Sequence, residues 1–177
     1  MSDTDAPRRG LVHVYTGDGK GKTTAALGLA LRAAGQGFKV IIIQFVKSNP
    51  NCGEHLFVSN YHPFEIVQLA EGDSFTMAEE DLRQATRKAL TRAEEVLRSD
   101  EYQMVILDEI FVALNRGWLD SSEVIDLMSK KSDSVELILT GRKAPMEIVR
   151  LADLATEMLM IKHPFSKGIK ARKGIEY

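Results

Sequence analysis

Apolar and polar positions alternate between two rhythms along this chain. Short, largely apolar runs occur at Leu11-Val12-His13-Val14-Tyr15, at Phe38 to Val46 around Val40-Ile41-Ile42-Ile43, at Met104-Val105-Ile106-Leu107 and at Val135 to Leu139. Runs of this length, rich in β-branched residues, predict strands buried on both faces of a parallel sheet. Phe64 to Leu69 and Ala155 to Ile161 read as further strands. Between them the period lengthens. Lys22 to Ala34 reads as an Ala- and Leu-rich helix closed by Gly35 and Gly37. Leu82, Ala85, Ala89, Leu90, Ala93, Val96 and Leu97 recur at helical spacing up to Arg98, with Thr76 and Glu79 predicting a capping box in front. Asp120 to Lys131 predicts a helix capped by Asp120 or Ser121, and Pro145 suits the first turn of one reaching Ala152. Ser48 to His62 reads as a long loop with at most one helical turn.

Strands alternating with helices imply right-handed crossovers and a mostly parallel sheet covered on both faces, a three-layer α/β fold like that of the P-loop NTPases. Residues 1–10 read as a flexible lead, 11–163 as a nucleotide-binding domain, and 164–177 as a basic tail of that domain.

In such sheets ligands bind at the carboxyl ends of the strands. Polar segments collect there: Gly17 to Thr24, Gln44 to Lys47, Asp108-Glu109 and Thr140 to Arg142. The strongest is Thr16-Gly17-Asp18-Gly19-Lys20-Gly21-Lys22-Thr23-Thr24, lying between a strand and a helix. Glycines let successive N–H groups turn toward an anion, and the helix start adds its positive dipole end. Lys22 can reach phosphate oxygens, and the Thr23 hydroxyl can bind Mg²⁺. The loop departs from Gly-x-x-x-x-Gly-Lys-Ser/Thr: Thr16 stands at the first glycine position, so the cradle from Gly17 to Gly21 is one residue short. A shorter cradle need not hold a triphosphate in the usual direction. Asp108-Glu109, closing an apolar strand, reads as the acidic partner that holds the metal.

Composition narrows the field. The chain has 177 residues, 44% of them hydrophobic and 27% charged, which suits one globular domain. A net charge of −2 makes no composition-level case for nucleic acid or an anionic membrane. Cys52 is the sole cysteine, which excludes an internal disulfide and a cysteine zinc cluster. No apolar stretch approaches a membrane span, and Met1 to Gly10 lacks the apolar core of a secretory signal. A cytoplasmic setting is the expectation. His13 reads as packed or hydrogen-bonded, His55 and His62 as surface groups, and His163 as a candidate nucleotide contact.

Taken together the segments resemble the P-loop corrinoid adenosyltransferases. The likeness is carried by Thr16 to Thr24, Gln44-Phe45-Val46-Lys47, Gly53-Glu54, Leu107-Asp108-Glu109 and Leu139-Thr140-Gly141-Arg142. It continues through Ala152-Asp153, Thr156-Glu157-Met158 and Lys162-His163-Pro164-Phe165 to Gly168-Ile169-Lys170 and Gly174-Ile175-Glu176-Tyr177. The resemblance implies transfer of the 5′-deoxyadenosyl group of ATP to the Co(I) of a reduced corrinoid, cobalamin or a precursor, with triphosphate leaving. It implies a reversed ATP held by Gly17, Asp18, Gly19, Lys20, Gly21, Lys22, Thr23 and Thr24, with Arg142 as a further phosphate contact. It also implies Mg²⁺ (or Mn²⁺) on Thr23 and Glu109 beside Asp108, a homodimer, and an electron-donating flavoprotein or similar reductant. Phe75 matches one of the family's corrinoid-facing aromatics, and Met77 stands where its tryptophan is expected. No general base is evident at the strand ends, and attack by Co(I) needs none. Two other readings use the same loop: a small-molecule kinase or ATPase, and a nucleotide-binding module whose basic tail meets nucleic acid.

Overall fold

The computed structural model describes residues 8–46, 49, 51–70 and 77–177. Strands β1 (Val12–Thr16), β2 (Val40–Gln44), β3 (Glu65–Gln68), β4 (Met104–Asp108), β5 (Glu136–Thr140) and β6 (Leu154–Glu157) form one parallel sheet in the order β3-β2-β4-β5-β1-β6. Helices α1 (Lys22–Gly35) and α2 (Gly53–Tyr61) belong to one face. On the other lie α3 (Glu79–Arg98), α4 (Ile110–Asn115), α5 (Ser121–Ser129) and α6 (Met146–Leu151). The expected three-layer architecture is what forms.

The period of two along each strand sorts the core into two clusters. Ile41, Ile43, Val105, Leu107, Leu137 and Leu139 face α3, α4, α5 and α6. Val40, Ile42, Met104, Ile106 and Ile138 face α1, which meets them with Ala26, Ala30 and Ala33. Those alanines share one face of α1, and their small side chains let the helix lie close to the sheet. The same alternation carries Gln44, Asp108 and Thr140 onto the α1 face, just past the last apolar layer.

Several elements differ from expectation. Residues 53–61, read as loop, form α2, ended by His62 in the left-handed region (φ 48°). None of its residues is fully buried, so it leaves no apolar stripe to detect. Six-residue α4 is too short to show a period, though Ile110, Phe111 and Ala113 are buried. Thr76 lies outside the described residues. Helix α3 begins after Ala78 with no side-chain cap, and its first-turn acids Glu79, Glu80 and Asp81 meet the helix dipole instead. The Glu79 carboxylate accepts from Trp118 Nε1 at 3.3 Å. Strand β6 stops at Glu157, short of Ile161, because its neighbour β1 turns away at Gly17. The predicted cap of α5 forms, with Asp120 N donating to Glu123 Oε2 at 2.9 Å. Among the described residues no helix is long and apolar enough to cross a membrane.

Candidate functional site

The carboxyl ends of the strands carry a transverse polar row. Sheet register sets Gln68 beside Gln44 and Gln44 beside Asp108, while Thr140 lies next along beside Tyr15. Asp108 is 1% exposed, so its charge needs partners. Its Oδ1 accepts from Thr140 Oγ1 at 2.7 Å and Thr23 Oγ1 at 2.9 Å, and its Oδ2 accepts from Gln44 Nε2 at 3.2 Å. Gln44 Oε1 accepts from Gln68 Nε2 at 2.8 Å and lies 2.8 Å from His55 Nε2. The Thr140 hydroxyl in turn accepts from Glu109 N at 2.9 Å. Glu109 has φ 62°, unusual for a residue with a side chain. That turn takes it out of the strand and lets its side chain reach the cavity above.

The glycine loop is pressed against the exit of β6. Gly19 N donates to Met158 O at 2.7 Å, and Met158 N donates to Thr16 O at 2.9 Å. A Cβ on Gly17 (φ 96°) would stand 2.5 Å from Met158 O, and one on Gly19 would stand 2.6 Å from it. Only glycine fits either place. Lys22 folds back over the loop, donating to Gly17 O at 2.6 Å and Gly19 O at 2.8 Å. Burial, then the Arg142 guanidinium, push the Lys22 ammonium below its usual range, against the pull of Glu109, Asp18 and Asp108. Arg142 follows Gly141, whose φ of 143° brings the backbone so near α4 that a Cβ would meet Phe111 Cβ at 2.7 Å.

These groups open onto a cavity of about 750 Å³. Its floor is the loop from Asp18 to Thr24. Glu109, Arg142 and His163 line it as well. Leu27, Leu31, Phe57 and Phe64 from α1, α2 and the chain before β3 form an apolar wall. Residues 174–177 close another side. They are tied to the loop by Lys20 Nζ, which donates to Glu176 Oε1 at 2.7 Å and to Ile175 O at 3.1 Å. Arg172 Nη2 holds the same carboxylate at 3.1 Å. Its two cationic partners depress the Glu176 carboxyl to about 2.

The family model for ATP:corrinoid adenosyltransferase BtuR/CobO/CobP matches residues 8–177. The chain belongs to this family. A "Corrinoid adenosyltransferase" of Sinorhizobium sp is 36% identical to it, covering 98% of the chain and 83% of that protein. Proteins of the same name from Pseudomonas aeruginosa and Escherichia coli K12 are 35% and 36% identical, each over 96% of the chain and 84% and 86% of their own lengths.

In this adenosyltransferase-family chain most of the predicted site residues converge. Asp18, Gly19, Lys20, Gly21, Lys22, Thr23, Thr24, Glu109 and Arg142 all line the large cavity. Gly17 faces a smaller cavity of about 270 Å³ between the loop and β6. Asp108 does not itself line the cavity and is held below its floor by Thr23, Thr140 and Gln44. Met77 packs on the core under α3 and does not line the cavity. Phe75 lies outside the described residues. His163 lines the cavity, while its Nδ1 accepts from Phe165 N at 3.2 Å. His55, expected at the surface, is drawn into the polar row. Only the fold shows that role, because α2 has no pattern of its own. The paired glutamines had a signal: each closes a strand, Gln44 after Ile43 and Gln68 after Val67.

Proposed function

We propose that the cavity holds ATP against a reduced corrinoid and that the chain transfers the 5′-deoxyadenosyl group to Co(I), releasing triphosphate. ATP-dependent adenosylation of a corrinoid is the activity of the family to which the chain belongs. Family membership supports this reading over a small-molecule kinase or ATPase, and over a nucleic-acid module. The observation that carries the cavity assignment is its two-sided wall: a cationic glycine cradle opposite exposed apolar side chains. Such a wall suits a polyanion at one end and a large, mostly apolar ring system at the other.

Lys22 is under-neutralised where it stands, since burial and Arg142 both disfavour its charge. Triphosphate would relieve that cost, with Lys22 and Arg142 on its oxygens. The reversed direction of the nucleotide is what the resemblance implies, and the short cradle agrees with it. The Gly19 amide is spent on Met158 and is not offered to a phosphate.

The donor set suits Mg²⁺ (or Mn²⁺). The Thr23 hydroxyl gives its proton to Asp108, so its lone pairs are turned away from the carboxylate. Glu109 adds a carboxylate from the cavity wall. Among the described residues no group of three His, Cys, Asp or Glu could hold a metal alone. This fits a cation completed by phosphate oxygens and water. When bound, it would draw charge from the departing phosphates.

In the transfer a Co–C5′ bond forms as the C5′–O bond breaks, and the electron pair leaves on triphosphate. No proton is removed, so the protein's task is orientation and charge neutralisation. A homodimer is proposed too. It is supported by the outer edge of β6, which pairs with no strand among the described residues and is flanked by exposed Leu159, Met160 and Ile161. An electron-donating flavoprotein and corrinoid contact by Phe75 and Met77 are what the resemblance implies, and a cytoplasmic setting is what the composition implies.

The test is anaerobic incubation with ATP, Mg²⁺ and chemically reduced cob(I)alamin. The expected result is the visible spectrum of an alkylcobalamin, with tripolyphosphate formed in equal amount. ADP as product, with the corrinoid unchanged, overturns the reading.

A further inference from the structure

Helix α2 presents two sides to the site. Gly53, Glu54 and Phe57 line the cavity, whereas His55 turns inward to the polar row. The hydrogen bonds there have only one self-consistent direction. Asp108, as a carboxylate, can only accept, so the NH₂ end of the Gln44 amide must face it. That turns Gln44 Oε1 toward α2 and β3, where Gln68 donates to it at 2.8 Å. His55 Nε2, 2.8 Å from the same oxygen, must therefore carry a proton and donate. Gln44 is only 2% exposed, so water cannot readily replace a lost partner. Each group thus sets the next: His55 and Gln68 fix the Gln44 amide, Gln44 fixes Asp108, and Asp108 takes the Thr23 proton.

We infer that His55 is a positioning residue, acting through Gln44 and Asp108 to keep the lone pairs of the Thr23 hydroxyl turned toward a nucleotide-bound divalent cation. The inference rests on the reading of the cavity as a Mg²⁺–ATP site. His55 touches neither nucleotide nor metal in this scheme. Its removal should not weaken ATP binding as such. It should weaken the part of that binding that Mg²⁺ adds. If the Gln44 amide loses a donor on its oxygen it can rotate, bringing its oxygen toward the Asp108 carboxylate. The pair then repels, Asp108 shifts, and the Thr23 proton loses its acceptor.

Calorimetric titration of ATP into the full chain, with and without Mg²⁺, tests this. Wild-type protein should bind ATP more tightly with Mg²⁺. In His55→Ala the gain from Mg²⁺ should shrink by about three- to tenfold, below the about 10- to 100-fold typical of a partner bonded directly to a metal ligand, because His55 acts through Gln44 and Asp108. Metal-free ATP affinity should stay within about twofold, within the scatter expected for a residue that does not touch the nucleotide. His55→Gln, which keeps an N–H donor, should recover most of the gain. His55→Leu, which fills the space without a donor, should behave as alanine does and replaces it if the alanine variant does not fold. The inference is overturned if the Mg²⁺ gain is unchanged in the donorless variants, if affinity falls equally with and without Mg²⁺, or if glutamine does no better than leucine. A wild-type chain that binds no ATP would sink the nucleotide-site reading itself. Intact Mg²⁺-dependent binding that ignores His55 would sink only this inference.

Discussion

The glycine loop is gripped from two directions, and the grips differ in kind. From below, Asp108 holds Thr23 at the cavity floor and is itself held by Thr140 and Gln44, with Asp108, Thr140 and Gln44 all buried. From above, Glu176 holds Lys20 and is itself held by Arg172, at the surface. Each carboxylate has three or more polar contacts, so a count of bonds would rank them equal. Their surroundings do not. A buried donor deprived of its acceptor keeps the full cost of desolvation, whereas an exposed one turns to water. Ionic strength also screens the upper grip and hardly reaches the lower. The lower grip is a fixture of the fold, and the upper is a latch that can be released without harm to it.

The largest effect should come from Asp108. Asp108→Ala strands the Thr140 hydroxyl and the Gln44 amide, and should lower stability by about 3 kcal/mol in denaturant unfolding. Adenosyl transfer should fall by about 100-fold or more, the range seen when a group that orients the reacting centre is lost. Asp108→Asn is the sharper probe. Its NH₂ group would meet either the Gln44 NH₂, whose turning His55 and Gln68 oppose, or the Thr140 and Thr23 hydroxyls, whose protons then lose their acceptor. Stability lost by asparagine should therefore approach that lost by alanine. If asparagine proves nearly silent, the lower grip is no more rigid than the upper.

Thr140→Val keeps the shape and removes one donor to Asp108 and one acceptor for Glu109 N. The expected cost is about 1–2 kcal/mol, with a loss of activity of about tenfold as Glu109 loses its anchor.

How much of this contrast can be read in the chain itself depends on distance along it. The lower grip is announced by local pattern: an apolar run ending in Asp108, another ending in Thr140, a third in Gln44, and a glycine loop ending in Thr23. Parallel pairing then aligns strand ends with no further information. His55 is silent in sequence because α2 buries nothing completely, and a helix without an apolar face reads as loop. The upper grip joins residues 156 apart in the chain, and a basic tail with two glycines carries no period that foretells where it lands. Lys20 and Glu176 become partners only because β6 leads the chain back past the loop.

The smallest effects should belong to that latch. Glu176→Gln should leave thermal stability almost unchanged and alter the KM for ATP by no more than a few-fold, as exposed ion pairs usually do. The difference from wild type should fade as salt is raised from 0.05 to about 0.5 M, since the Debye length drops well below the spacing of exposed charges.

Acid should open the latch in a defined window. Arg172 and Lys20 hold the Glu176 carboxyl near 2, below its ordinary value of 4.5. A carboxylate depressed in the folded state contributes its share fully above its unfolded value. That share is lost as pH falls through the folded one. The latch's contribution to stability should thus be full at pH 5 and above and shrink from about 4.5 downward, with the latch itself half open near 2. Following the Glu176 side-chain carboxyl by NMR through that range, in wild type and in Lys20→Ala, separates the two cations. Removing Lys20 should raise the midpoint only partly toward 4.5, because Arg172 is the larger cause of the shift. A midpoint near 4.5 in the wild-type chain would mean that the tail does not grip the loop in solution. The contrast between a fixed floor and a releasable roof would then lose its upper half.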